Sequence, residues 1–397
     1  MDVLKRESQT QYRILWIICA AHFLQDLLTS VVPAMLPVLQ QEMSLNYAQL
    51  GIVVMVANLT ASFLQPGLGY MTDKKPVPWL LPLAALFAGL GLTGIAYAHS
   101  FAEVLLMVVL IGLGSATFHP EASRVAHLAA GSRKGLAQSI FQVGGNAGQA
   151  FGPLMISLLL LPFGLKGSFW LLPPALLSAA ALTIVARWYK NWTGTRRKSG
   201  QAATGANRYG ALALLVGVVS IRSWIHIGIA SFLPLYYINI LGMNTTTAEV
   251  YLFVFLLAGA IGTFVGGPLA DRFSKRSILL FSMVGAIPFI LLIPHLTGGL
   301  ALLNIFVVGF ISLCSFAVTV VYAQELVPGK IGMVSGLMIG FAIGAGGIGA
   351  AVMGYFAKSA GLATLIELLL VLPVIGWLLG SRLPKDGANS TAASASA

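Results

Sequence analysis

The chain is poor in charge. Only 9% of its 397 residues are Asp, Glu, Lys or Arg, against roughly 25% in a soluble domain, so a water-exposed globular surface is excluded. Acid is scarcest, with 12 carboxylates against 23 Lys and Arg and a formal net charge of +11. That excess forms no patch or stripe of the kind nucleic acid needs. The bases stand between apolar runs, as membrane topology requires, and nucleic acid is not expected as a partner. Cysteine is nearly absent. Cys19 and Cys314 lie in apolar segments of different halves, which leaves neither a disulfide framework nor a thiolate site. A His-Glu-x-x-His run, a Gly-x-Ser-x-Gly elbow and a nucleotide loop are all missing. No enzyme activity, cofactor or metal is therefore expected. His22 with Asp26, or His119 with Glu121, are the pairs that could be imagined as ligands, and the second pair, two residues apart, does not share a helix face.

What the chain has is apolar length: 57% of residues are hydrophobic and the mean hydropathy is +0.88. A span needs roughly 20 mostly apolar residues. Twelve such runs are expected, at 14–39, 47–71, 77–98, 101–128, 133–162 and 167–189, then 209–240, 245–270, 276–296, 299–327, 331–358 and 361–382. They divide the chain into a polar leader 1–13, a six-helix bundle 14–189, a basic linker 190–208, a second six-helix bundle 209–382 and an Ala/Ser-rich tail 383–397. The run after the leader is too long for the core of a signal peptide and reads as the first span. With the N-terminus inside, 20 of the 23 basic residues fall on the cytoplasmic side, Lys166 and Lys358 fall outside, and Arg222 is left in mid-membrane. This asymmetry puts both termini in the cytoplasm and the chain in the inner membrane. A monomer solvated by lipid is expected. Trp16, Trp79, Trp188 and Trp192 stand near the expected interfaces and read as anchors.

The halves repeat one another. Gly69-Tyr-Met-Thr-Asp73-Lys74-Lys75 after the second span has a counterpart in Gly267-Pro-Leu-Ala-Asp271-Arg272 after the eighth, with Lys275 and Arg276 following. Lys134-Gly135 to Ser139 likewise matches Lys330 to Gly336, and the two correspondences share an offset of 198 and 197 residues. Parallel halves of this kind mark one class of secondary transporter.

Polar residues inside the membrane are costly and need a reason. His22, Gln25 and Asp26 lie in the first span, His119, Glu121 and Arg124 in the fourth, Arg222 and His226 in the seventh, Gln324 and Glu325 in the tenth. These are the leading members of four successive triplets. Asp26 lies about 18 Å along its helix, with His22 on the same face. It reads as a carboxylate that takes up and releases a proton, or as a permanently satisfied buried pair. Arg222 is permanently cationic and too deep to snorkel, so it must meet a protein carboxylate or an anionic substrate, with His226 one turn on. Glu121 and Arg124 are spaced to pair, either as a brace for the inner gate or as part of the proton path. His119-Pro120 ahead of them points to a bend or a cavity lining. Glu325 reads as a gate ion pair or cap to a basic loop. Gln138, Gln142, Asn146 and Gln149 form a stripe that lines a polar path or bonds neighbouring helices. Gly144, Gly148 and Gly152, with Gly336, Gly340 and Gly344, read as helix contacts.

The Gly267 to Arg276 loop, with its copy at Gly69 to Lys75, resembles the loop signature of the major facilitator superfamily. Phe118-His-Pro-Glu-Ala-Ser-Arg124, Gly135 to Asn146 and Tyr322 to Gly336 are similar to the fosmidomycin resistance group within it. The resemblance covers nearly the whole chain. It implies an all-α membrane protein with the major facilitator fold, twelve helices in two pseudo-symmetric bundles (3+3+3+3) around a central cavity. It also implies a drug:proton antiporter with a phosphonate such as fosmidomycin as one cargo. By the resemblance Asp73, Lys74, Asp271, Arg272 and Arg276 are conformational, with Arg124 and Glu325 beside them as gating groups. The expected site is then Asp26, Glu121 and His22 for protons, and Arg222, His226, His119, Gln25, Gln142 and Asn146 for cargo. Two features depart from the pattern: Met107 to Leu110 lacks the arginine of many proton-coupled members, and Ile156-Ser157 stand where an antiporter signature has glycines. Proton coupling would then run through Asp26, Glu121 and Arg124. Import of an organic anion by symport would use the same charges.

Overall fold

The computed structural model describes residues 10–74, 76–131, 134–193, 207–327 and 331–384. Most of the leader, linker and tail lies outside the described residues. The described chain is helical throughout. The N-terminal half contains α1 (Tyr12–Ala34), α2 (Leu36–Met43), α3 (Tyr47–Lys74), α4 (Leu80–Ile95), α5 (Phe101–Ala129), α6 (Lys134–Phe151) and α7 (Leu172–Thr193). The C-terminal half contains α8 (Tyr209–Asn239), α9 (Thr245–Phe273), α10 (Lys275–Val284), α11 (Ile287–Leu292), α12 (Gly298–Leu313), α13 (Phe316–Leu326), α14 (Ile331–Ala360) and α15 (Leu362–Gly380).

Ten helical stretches among the described residues are long and apolar enough to cross a membrane; Leu80–Ile95 is a shorter apolar helix. The count by length and hydropathy is thus ten where twelve spans are expected. One reason is visible locally: Ile156–Trp192 reads as a single apolar stretch, although it holds the end of one expected span, a tight Gly164–Leu171 turn of 3-10 helix and the next span. Gly164, with φ +62°, makes that reversal possible, and the Glu42 carboxylate accepts from the Leu165 N–H at 3.1 Å to cap it.

Breaks within helices have identifiable causes. Proline explains the α1–α2 step, with Pro33 inside the first helix and Pro37 opening the second. Gly152-Pro153 ends α6, and the chain resumes as a π-helical turn at Ile156–Leu160. Pro120, in contrast, leaves α5 continuous. Asn244 caps α9 by accepting from Thr247 N–H at 2.8 Å.

The halves meet along α3 with α14 and along α6 with α9. A methyl placed on Gly51 would stand 2.5 Å from the Ala350 carbonyl oxygen; on Gly347, 2.7 Å from Asn58 Cβ; on Gly344, 3.1 Å from Ser62 Cβ; on Gly340, 3.7 Å from Gln65 Oε1. The approach therefore loosens steadily along the seam. It is tightest at the end remote from the chain termini, where Asn239 Nδ2 donates across the halves to Gln40 Oε1 at 2.9 Å and to the Tyr47 hydroxyl at 3.2 Å. Apolar packing agrees: one buried cluster spans both halves at the remote end. At the end holding the termini, each half closes on its own cluster. The molecule is a V, joined away from its termini.

Candidate functional site

Close packing of α6 on α1 builds the site. Gly144 faces the Cys19 carbonyl and Gly148 the Phe23 carbonyl, so the two backbones meet without side chains between them. Gly145 sets its backbone against the His22 ring, and a methyl there would come within 2.9 Å of Asp26 Oδ2. From the third side α5 supplies His119. Three polar side chains are thus brought together: His22 Nε2 stands 3.4 Å from Asp26 Oδ2, and His119 Nε2 stands 3.4 Å from Asp26 Oδ1.

Hydrogen bonding on the far sides of the rings fixes their tautomers. The carbonyl of Phe141 lies 2.8 Å from His22 Nδ1, and that of Ser115 lies 2.9 Å from His119 Nδ1. A carbonyl only accepts, so both Nδ1 atoms carry hydrogen. In neutral rings both Nε2 lone pairs would then face a carboxylate. Each contact is repulsive until a cation lies in it, and a proton on an Nε2 turns that ring into a donor to its own oxygen of Asp26. His22 is further held by stacking on Phe141 at 4.1 Å between centroids. His22 and Asp26 are buried, while the His119 side chain is 24% exposed, which leaves the cluster one accessible edge. Gln25, beside them on α1, is fully buried, and neither amide atom has a hydrogen-bond partner among the described residues. On α6, Gln142 donates to Asn146 Oδ1 at 3.1 Å. His119 therefore pairs across helices with Asp26, not along its own helix with Glu121.

Glu121 and Arg124 form a second group on α5. Their charges lie 3.7 Å apart, with Glu121 buried. Arg124 also donates to the Thr72 carbonyl near the end of α3 and, at 3.5 Å, to the Tyr189 hydroxyl on α7. It ties three helices together.

Arg222 sits apart from both groups. Its Nη1 donates to Ser315 Oγ at 3.1 Å and Thr319 Oγ1 at 3.2 Å, and its guanidinium lies 5.1 Å over the Phe316 ring. Ser315 is available because the backbone breaks between α12 and α13 at that point. A cavity of about 10 Å³, room for one water, adjoins the guanidinium between Ser282, Ser312 and Ile290. Among the described residues no carboxylate lies within ion-pairing distance of Arg222. His226 stacks on Phe255 at 5.5 Å, and its buried Nδ1 has no hydrogen-bond partner among the described residues.

At the terminus end, Lys275 Nζ pairs with Glu325 at 3.0 Å, Arg276 donates to the Ser381 carbonyl, and Arg272 is exposed. The side chains of Asp73, Lys74, Gln138 and Asp271 lie outside the described residues. One buried acid escapes the sequence reading. Glu249, in the first turns of α9, is fully buried, and neither of its carboxylate oxygens has a hydrogen-bond partner among the described residues. Its place near the start of an apolar run carries no signal in the sequence that it is buried. Phe253, one turn on, meets Phe151 across the seam at 5.5 Å.

Comparison with known proteins follows the fold. The family model described as Major Facilitator Superfamily matches residues 18–351 and again 212–396. A Bacillus subtilis (strain 168) protein named as an uncharacterized MFS-type transporter, YfnC, is 44% identical, covering 96% of this chain and 95% of that protein. The fosmidomycin resistance protein of Escherichia coli (strain K12) is 40% identical, covering 94% and 93%. Among solved structures, a bacterial homologue of the human lysosomal transporter Spinster, inward-facing and unoccupied, superposes with a TM-score of 0.76 at 15% identity, over 94% of this chain and 97% of that one.

Proposed function

The chain belongs to the Major Facilitator Superfamily, and from that premise we propose that it exports small anionic or amphipathic compounds from the cell in exchange for protons. The 40% identity to a fosmidomycin resistance protein supports a phosphonate of that kind as one cargo. Twelve spans in an inner membrane, with both termini cytoplasmic, follow from the placement of the basic residues. On that orientation the V opens to the cytoplasm, which is the side from which an exporter loads.

The observation that carries the reading is the His22–Asp26–His119 cluster midway along α1, between the two buried apolar clusters of its half. A proton on His119 Nε2 makes it a donor to Asp26 Oδ1 and draws α5 toward α1. Its loss sets lone pairs against Asp26 and loosens that contact. Proton load and helix packing are therefore coupled at one point, which antiport requires. Arg222, held by hydroxyls and an aromatic face, keeps its charge for an anion. Asp26 is thus matched by histidines and not by Arg222, so the two charges act in separate halves. His226, Gln25, Gln142 and Asn146 supply the polar lining for cargo. Glu121–Arg124 and Lys275–Glu325 brace the cytoplasmic ends.

A resistance profile of expressing cells against structurally varied antibiotics tests this. Wild type should protect against phosphonates. Asp26→Asn should abolish protection across the profile, and Arg222→Ala should weaken it most for anionic compounds. Protection by Asp26→Asn equal to wild type would end the proton assignment. Phosphonate resistance intact in Arg222→Ala would end the cargo assignment.

A further inference from the structure

The cluster has the geometry of a transition-metal site. His22, Asp26 and His119 each offer one ligand atom, and these atoms lie within 4.8 Å of one another. Both Nε2···O distances are 3.4 Å. A charge-assisted N–H···O contact closes to about 2.7–2.9 Å, whereas two ligands on one tetrahedral zinc at 2.0–2.1 Å stand roughly 3.3–3.4 Å apart. The two contacts reach different oxygens of Asp26, and the ligand atoms, within 4.8 Å of one another, need draw in only slightly to share one ion.

The surroundings agree. A metal-binding histidine typically donates its other ring N–H to a carbonyl or carboxylate, which fixes the tautomer and aims the free lone pair. Both rings here are held in that way, by the Phe141 and Ser115 carbonyls. Asp26 Oδ1 is buried, and His119 Nε2 faces it at 3.4 Å, longer than a closed charge-assisted bond. Three protein ligands leave a fourth position open, and the partly exposed edge of His119 gives a path to it. Imidazole with carboxylate favours zinc, cobalt and nickel over magnesium or calcium.

The geometry points to a divalent transition-metal site at His22, Asp26 and His119, taking Zn²⁺-class ions in competition with the coupling proton. This rests on the reading of the cluster as the cation site of the transport cycle. Metal and proton need the same Nε2 lone pairs, so a bound ion holds α1, α5 and α6 in their present arrangement and arrests proton-driven transport.

Untagged full-length protein in detergent, stripped with a chelator, is titrated with Co²⁺ while the visible spectrum is followed. Expected are intense bands of low-coordinate Co²⁺ that saturate at one ion per chain and are displaced by Zn²⁺. The bands should persist in His99→Gln, which alters the exposed His99–Glu103 pair, and vanish in His119→Gln and in Asp26→Asn. The inference is overturned by absence of the bands in wild type, by their survival in the His22→Gln/His119→Gln double variant, or by their loss in His99→Gln. Transport driven by a pH gradient in chelator-treated proteoliposomes separates the two readings. If it proceeds while Co²⁺ fails to bind, the metal site falls alone. If Co²⁺ binds while no gradient drives transport, the proton reading falls and the metal site stands.

Discussion

Gly51→Ala should unlatch the end of the molecule remote from the termini. The added methyl would lie 2.5 Å from the Ala350 carbonyl oxygen and 3.1 Å from Ala351 Cα, where real Cβ contacts essentially never fall below 3.0 Å. Both opposing atoms are backbone, so no side-chain rotation relieves the clash, and α3 must part from α14 by at least ~0.5 Å. Overpacking of this kind costs about 1–3 kcal/mol. The penalty falls only on the state in which these helices touch, so it shifts the population toward the outward-open form by roughly 5- to 150-fold, at about 1.4 kcal/mol per factor of ten. The shift can be read by electron-spin distance measurement between labels at exposed Lys166 and Thr297, with Cys19 and Cys314 replaced. The short remote-end distance of wild type should give way to a longer one. Gly340→Ala is the control, since its methyl would meet nothing nearer than Gln65 Oε1 at 3.7 Å; it should leave the distribution unchanged. Identical distributions for wild type and Gly51→Ala would refute both the seam geometry and the alternating-access reasoning built on it.

Loss of the Asn239 latch should act in the same direction but more weakly. Asn239→Ala removes two hydrogen bonds at an exposed site, where water takes over the freed partners and each bond falls at or below the bottom of the usual range of about 0.5–1.5 kcal/mol, so the same label pair should report a smaller opening. Arg124→Gln leaves buried Glu121 without its ion-pair partner, which costs about 3–5 kcal/mol of stability; Glu121→Gln in the same chain should restore most of the lost melting temperature in detergent. Glu249→Gln removes an unpartnered buried carboxyl, so the melting temperature should hold or rise; a large fall would mean that the acid has a structural partner.

Much of the architecture was legible because lipid imposes strong rules. Span positions, the paired loops after α3 and α9 and the distribution of Lys and Arg all follow from hydropathy and charge. The helix count is where that reading and the structure differ, since a short 3-10 turn with a single charge, Lys166, joins two apolar runs at Gly164–Leu171. Within the site, His22 and Asp26 were legible from their four-residue spacing. The addition of His119 was not, because its meeting with Asp26 depends on how α5 is rotated against α1. The four-residue glycine pattern marked Gly144, Gly148 and Gly152, but it is Gly145, one step off that stripe, which lies against the histidine. Arg222 was expected to face a carboxylate or a cargo anion. The hydroxyls that meet it are Ser315, at a backbone break that no proline or glycine announces, and Thr319, one turn further on in α13.

Proton coupling at Asp26 is the central claim, and transport in proteoliposomes tests it most directly. Wild type and Asp26→Asn are reconstituted side by side, a pH gradient is imposed, and phosphonate flux is measured with and without a protonophore. The account predicts gradient-driven flux in wild type that the protonophore abolishes, and no response to the gradient in Asp26→Asn. Flux in wild type that ignores the gradient, or flux in Asp26→Asn that still follows it, would contradict the account.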